Sequence, residues 1–319
     1  MPGFLGLLEA GRRAAARRRG KRVFPPIGHL ERENLYGEKG ASLSRPAQSR
    51  YKSPMPSPFW SDLKTTDFAA LDWARTIVVA PIAAIEQHGP HLPLGVDAMI
   101  MDGMIARIAP LLPAAPRVLF LPTQSVGVST EHRDFAGTLS LKPATALAML
   151  AELLEGPVAT GAKKLVILNT HGGNSALITQ AALELRARHG VLAITCSFAR
   201  FGYPPGFFVG DELRHGIHGG AVETSLMLHL RPDLVDMGCA RNFPVATQEF
   251  ARDFKWLSAD RPAGFGWMAQ DLSKDGAMGD ATAASAQKGD AVAAFWAQSF
   301  VELIQEADAF ALPHLERRV

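Results

Sequence analysis

Glu86, His88 and Asp97 place three metal-competent side chains within one short stretch, Glu86-Gln87-His88-Gly89-Pro90-His91-Leu92-Pro93-Leu94-Gly95-Val96-Asp97. Carboxylate oxygen and imidazole nitrogen together suit a divalent cation. Residues two apart in an extended chain share a direction, so Glu86 and His88 can face one site while the intervening Gly and Pro residues bend Asp97 back towards them. A second segment, His171-Gly172-Gly173-Asn174, again opens on a histidine. Its glycines permit close backbone approach, and a helix N-terminus just beyond favours negative charge. In a third, His218-Gly219-Gly220-Ala221-Val222-Glu223, a helix starting near Gly219 would put Glu223 about one turn in, within reach of the same cavity as His218. Taken singly, each segment also reads as solvated surface, and the glycine-rich turn as the phosphate cradle of a nucleotide-binding module. Four ligand-type side chains (Glu86, His88, Asp97 and His171) emerging together at strand ends favour the metal reading.

The elements that must position them follow from hydrophobic pattern. Apolar, β-branched runs predict strands near 76–82, 118–123, 164–170 and 191–198, alternating with helices near 99–112, 143–159, 174–189 and 219–230. That order implies a single-domain α/β fold, a doubly wound and mostly parallel sheet flanked by helices, with the strands' C-terminal ends forming a common rim. Residues 240–280 read as an irregular excursion over that rim, and a final helix near 281–308 closes the domain. Cys196 falls in an apolar run and reads as core, and two cysteines indicate no disulfide framework.

In order along the chain, the segment from Ile85 to Pro93 with Asp97, the loop Glu131-His132-Arg133-Asp134-Phe135-Ala136-Gly137-Thr138, the segment from Asn169 to Asn174, Glu223-Thr224-Ser225 and Gly276-Ala277-Met278-Gly279-Asp280 resemble the motifs of the creatininase family of metal-dependent amidohydrolases. The resemblance runs from about Phe59 to about Asp308. It implies two divalent metal ions, Zn2+ or Mn2+ with Fe2+ as a further candidate, bridged by Asp97. Glu86 and His171 would hold one ion and His88 the other. Creatininase proper carries a carboxylate two residues after the histidine of the third strand. Gly173 stands there, and Glu223 is the best acidic candidate to replace it. His218 matches the family histidine that delivers a proton to the departing nitrogen. Glu131 joins it in the expected catalytic set as a substrate contact, and Glu131 or Asp134 could orient a metal-bound histidine. His91, His215 and His229 read as structural.

An unactivated amide resists water, and a bound divalent cation lowers the pKa of a water from 15.7 to about 7, so a metal-activated hydroxide is the expected attacking group. The reaction implied is cleavage of a C–N amide bond in a small, possibly cyclic amide, with creatinine as reference. A deformylase of a pyrimidine precursor and a peptidase of a modified peptide are the alternatives within the family. The approach to His218, Glu212-Leu213-Arg214-His215, offers no Trp to close over creatinine, and Arg214 suits an anionic substrate.

The 319 residues, 47% hydrophobic and 20% charged, suffice for one large core. The formal charge of +2 is uneven: residues 1–54 hold 12 Lys+Arg and 4 Asp+Glu, the remainder 21 and 27. The basic part is read as a solvated, disordered tail preceding a domain over 55–319, and initiation at Met55 would yield that domain whole. A cytoplasmic enzyme is expected, with a small-molecule amide substrate, no nucleic-acid partner, no membrane span and, from the resemblance, a homo-oligomeric (hexameric) state.

Overall fold

The computed structural model describes residues 57–311, so the basic segment 1–54 and the start at Met55 lie outside the described residues. Four strands, β1 (Thr76–Ile82), β2 (Arg117–Phe120), β3 (Lys164–Asn169) and β4 (Leu192–Ser197), form one parallel sheet in the order β2-β1-β3-β4. β1 is buried along its whole length, as a central parallel strand covered on both faces must be.

Alternation along the strands assigns the two faces. Ile77, Val79, Val166 and Leu168 pack with α1 (Val96–Ile108), α4 (Ala221–Leu230) and α5 (Ala286–Ala309), through Met101, Met104, Leu226, Phe300 and Ile304. Val78, Ala80, Ile82, Leu165 and Ile167 face the opposite way, onto Leu150 and Leu154 of α2 (Pro143–Thr160) and Ile178 and Leu185 of α3 (Ser175–His189). Pro143 opens α2 where a missing N–H costs nothing, and Gly190 ends α3 in the left-handed conformation at φ +70°.

The chain leaves β1 for β2 through α1 on one face and leaves β3 for β4 through α3 on the other. The winding therefore reverses between β1 and β3, and such a switch point opens a crevice at the strands' C-terminal ends. Both histidine-bearing segments issue there.

The final helix starts at Ala286, later than expected, and two other element starts that differ from expectation matter for the site. The first helix begins at Val96, so Asp97 stands in its first turn instead of in the loop before it. The backbone bond from Glu86 N to the Leu94 carbonyl (2.9 Å) closes the Gly-Pro loop early enough to start the helix there. The helix that carries Glu223 begins at Ala221, because Gly219 adopts φ +62° and turns the chain before the helix can form. Residues 240–280 carry short elements instead of an unbroken irregular path, including a helix over Thr247–Asp253 and an antiparallel pair of Asn242–Phe243 with Gly279–Asp280.

Candidate functional site

Beyond β1 the chain stays extended and is held along residues 138–139. Leu139 N donates to the Ile85 carbonyl (2.9 Å), and Gln87 N donates to Thr138 Oγ1 (3.1 Å). Glu86 and His88 consequently point inward, each 1% exposed. Asp97 meets them from α1, whose start is tied to the end of β3 by Thr170 Oγ1 donating to the Asp97 carbonyl (3.0 Å). His171 arrives from the end of β3, and Glu223 from the first turn of α4.

The donor atoms converge. Asp97 Oδ2 lies 3.8 Å from His88 Nε2 and 3.8 Å from His171 Nδ1. Glu86 Oε1 is 3.0 Å from His171 Nδ1, and Glu223 Oε2 is 3.9 Å from His88 Nε2. Two ligands each about 2.0–2.2 Å from a shared cation stand at separations of this order. Glu86 Oε1, His88 Nε2 and Asp97 Oδ2 are buried with no hydrogen-bond partner. One such orphan is costly, and three facing one cup are accounted for by cations among them.

The imidazoles are oriented for that task. The His88 Nδ1–H donates to the Glu86 carbonyl (3.0 Å) and the His171 Nε2–H to the Val128 carbonyl (2.8 Å), so His88 Nε2 and His171 Nδ1 are the ring nitrogens turned to the cup. Burial alone would lower the His171 pKa, but Glu86, with Asp97 and Glu131, outweighs it and pushes the value up to about 10. A cup that draws a proton so strongly draws a cation by the same field. The two nearest carboxyls split under their mutual repulsion. Burial and the charge of Glu86 raise Asp97 well above the ordinary range, whereas Glu86, despite burial, is held low by His171, His218 and His132.

His218 lies against this cup, its ring stacked between His88 (centroids 4.1 Å apart) and His132 (4.2 Å). The His218 Nε2–H donates to the Gln87 carbonyl, leaving Nδ1 turned to Glu86 Oε1 at 3.7 Å. Burial, and next the neighbouring His88, lower its pKa to about 4, so the ring is neutral near pH 7. Glu131 Oε1 stands 3.5 Å from His171 Nε2, while Asp134 is exposed and accepts from Gln270 Nε2 (2.6 Å), away from the cup. Of the two proposed partners for a histidine, Glu131 alone is near, and the bond to His171 Nε2 goes to the Val128 carbonyl. His91 bonds Thr224 Oγ1 (2.9 Å), His215 bonds Thr247 Oγ1 (2.8 Å) and His229 faces Asp290 (3.7 Å), all outside the cup.

Gln87 and Ser129 escaped the sequence reading, and His132 stood in it only as part of the loop Glu131–Thr138. Gln87 accepts from Gly89 N (2.9 Å) with Oε1 and donates from Nε2 to the Gly276 carbonyl (3.1 Å) and to His132 Nδ1 (2.7 Å), which binds the excursion to the cup. His132, 2% exposed, turns Nε2 towards Glu86 Oε1 at 3.7 Å, and the Ser129 hydroxyl donates to Glu86 Oε2. The signal available for Gln87 was its place between two inward residues, where alternation turns a side chain to the opposite wall.

The glycine-rich turn has a steric cause. A Cβ at Gly173 would collide with Glu131 Oε1 and lie 2.5 Å from His171 Nε2 and 2.6 Å from the Val128 carbonyl. No carboxylate fits at 173. Nor does the turn cradle phosphate: Gly173 faces the Glu131 carboxyl, and the Asn174 amide is taken up by Val128 N (2.9 Å), the Ala83 carbonyl (3.1 Å) and Asn169 Oδ1 (3.1 Å). Gly173→Ala should displace Glu131 and the His171 ring and lower cation affinity by about 10–100-fold, the scale for disturbing a ligand's orientation. Calorimetric titration of the metal-free variant with Zn2+ checks this, and wild-type affinity would refute it.

Arg214 lines a separate cleft with Glu249, Arg252 and Lys274, not the one beside the cup. The cavity that opens at His171 and Glu223 has a volume of about 360 Å³ and is walled also by Arg200, Tyr203, Leu213 and Asp260. The expected anionic-substrate contact at Arg214 is thereby corrected, because the turn Asp211–His215 points that side chain outward.

The family described as Creatininase: Creatinine amidohydrolase matches residues 61–304. The chain is 29% identical over 250 residues to the creatinine amidohydrolase of Pseudomonas putida, covering 72% of this chain and 89% of that one. It is 32% identical over 183 residues to the mycofactocin precursor peptide peptidase of Mycobacterium ulcerans (strain Agy99), covering 56% of this chain and 68% of that one. Among solved structures, a creatinine amidohydrolase superposes with a TM-score of 0.64 at 26% identity over 81% of this chain and all (100%) of that one. A manganese creatininase does so at 0.60 with 27% identity, over 78% and 98%.

Proposed function

The chain belongs to the creatininase family, hydrolases acting on C–N bonds of non-peptide amides or modified peptides, and from that premise we propose a two-cation amidohydrolase whose domain spans residues 55–319. In this reading Asp97 would serve both ions, Glu86 and His171 would hold one, and His88 and Glu223 would hold the other. The observation that carries it is the set of three buried, partnerless atoms, Glu86 Oε1, His88 Nε2 and Asp97 Oδ2. The all-nitrogen-and-oxygen donor set suits Zn2+, Mn2+ or Fe2+. Bound there, two divalent cations supply Lewis acidity to a water and to the amide carbonyl.

The chain's own residues do the rest. His218, neutral and with Nδ1 free, takes a proton at that atom from the attacking water and returns it to the departing nitrogen. The Gln87 carbonyl fixes the ring so that Nδ1, not Nε2, carries it. Glu131, 3.5 Å from His171 Nε2, adds negative charge beside that ligand, whose ring is oriented by the Val128 carbonyl. Burial of the cup keeps bulk water from competing.

Metal analysis of purified protein tests the proposal, with about two ions per chain expected. Glu223→Gln should lose one of them and lower turnover by more than about 10²-fold, beyond what a residue that only orients a ligand costs. Unchanged metal loading would reassign Glu223 to an orienting role.

Slow or absent creatinine turnover is part of the proposal. The Trp296 indole, which reaches the cleft floor, is 4% exposed and donates Nε1–H to the Gly202 carbonyl (2.8 Å), so it is unable to close over a small ring. A homo-oligomer is supported by the exposed Phe254, Trp256 and Leu257. No helix among the described residues is long and apolar enough to cross a membrane.

A further inference from the structure

We propose that Arg200 is the substrate anchor of the cleft and that it selects amides bearing a free carboxylate; this rests on the amidohydrolase reading above. Besides the ligand His171, four Arg, Asp and Glu side chains line the cavity: Arg200, Glu212, Glu223 and Asp260. Three are committed. Glu212 accepts from Ala221 N (2.6 Å) and Asp280 N (2.7 Å), Glu223 faces His88 (3.9 Å), and Asp260 pairs with Arg261 (3.0 Å). Arg200 is the remaining charge, and among the described residues no carboxylate lies within ion-pair distance of it.

Its position is fixed by its neighbours. Arg200 belongs to the turn Phe198–Phe201 at the C-terminal end of β4. Phe198, 1% exposed, stacks on Trp296 (5.6 Å), and Trp296 bonds the carbonyl of Gly202 on the other side of the turn. A backbone pinned at both ends presents the guanidinium from the rim next to the one that carries His171. Gly172 and Ser175, at the start of the 15-residue α3, line the same cavity and add the positive end of that helix.

Part of the lining is apolar. Leu213 and Ile217, 50% and 49% exposed, line the mouth. A guanidinium fork in a cavity that also has apolar lining fits a group with a carboxylate and an apolar side chain, and pairs with the carboxylate bidentately. Hydrolysis places water's oxygen on the carbonyl carbon, breaks the C–N bond and sends the proton to the nitrogen, with no redox partner. The carboxylate stays on a product as a bystander. Two sources share this chemistry, the C-terminal residue of a peptide and a small carboxylated cyclic amide.

The test uses the metal-loaded full chain and two binding probes, N-acetylphenylalanine and its carboxamide, titrated calorimetrically. The wild type should bind the carboxylate about 10–100-fold tighter, the scale of a charged hydrogen-bonded contact. Arg200→Ala should erase that preference with metal content intact, and Arg200→Lys should restore part of it. Equal affinities in the wild type, or a preference surviving in Arg200→Ala because the cations hold the carboxylate, would overturn the assignment. Turnover of N-acyl dipeptides against 5-oxoproline then separates the two sources. Failure of the amidohydrolase reading shows itself differently, as chelator-insensitive protein without bound ions.

Discussion

Asp97→Asn should yield a folded protein that retains neither cation and turns over at least about 10³-fold more slowly. Asp97 Oδ2 is equidistant, 3.8 Å, from the imidazole nitrogens on the two sides of the cup, so its loss removes a ligand from both halves at once. Lewis-acid stabilisation is worth several kcal/mol, and each 1.36 kcal/mol is about tenfold in rate. The metal-free fold should not suffer. Burial and Glu86 raise the Asp97 pKa above its unfolded value of 3.8, so its ionisation opposes folding. The penalty starts as pH rises through the unfolded value and is complete above the folded one. At neutral pH a neutral amide of the same shape avoids it, and metal-free Asp97→Asn should melt no lower than the metal-free wild type. Added Zn2+ should raise the melting temperature of the wild type and leave the variant unmoved, since only the wild type gains binding energy in the folded state. A variant that still binds two ions, or keeps a tenth of the turnover, would remove Asp97 from the bridge.

What the sequence made legible, and what it hid, divides along the range of the physics. The sheet was readable because runs such as Ile77-Val78-Val79 and Leu165-Val166-Ile167-Leu168 are too apolar for any but a doubly covered strand, and strand ends then fix where Glu86 and His171 emerge. The third dimension was not. Asp97 belongs to a helix because a bond from Glu86 to Leu94 closes the loop early, a contact no local propensity encodes. Gly173 reads as backbone freedom in sequence, whereas the structure shows side-chain exclusion by Glu131 and His171, which come from two different loops. Arg200 gave no signal, because nothing in Phe198-Ala199-Arg200-Phe201 says that its cavity is shared with Ile100 of α1, a hundred residues earlier in the chain. The sequence pointed instead to Arg214, which is closer to His218 along the chain and faces elsewhere.

His218→Ala should lower turnover by about 10²-fold or more while both cations stay bound, the scale expected for a positioned acid and base. The retention is as informative as the loss. His218 Nδ1 stands 3.7 Å from Glu86 Oε1 and forms a candidate cluster with Glu86 and His88, so a reading in which it is a third ligand to a cation competes with its proton-carrying role. A ligand takes its ion with it when removed, and a proton carrier does not. His132 supplies the internal comparison. It stacks on His218 at 4.2 Å and also turns Nε2 to Glu86 (3.7 Å), but its Nδ1 is occupied by Gln87, so it has no free lone pair towards the cup. His132→Ala should therefore cost less than His218→Ala, acting through the loss of a wall against which the His218 ring stands. Added imidazole should restore part of the turnover in His218→Ala, where the missing group is the proton carrier itself, and none in His132→Ala. Equal losses in the two variants without rescue would mean that the stack matters as a structural unit and that His218 moves no proton; loss of an ion in His218→Ala would make it a ligand.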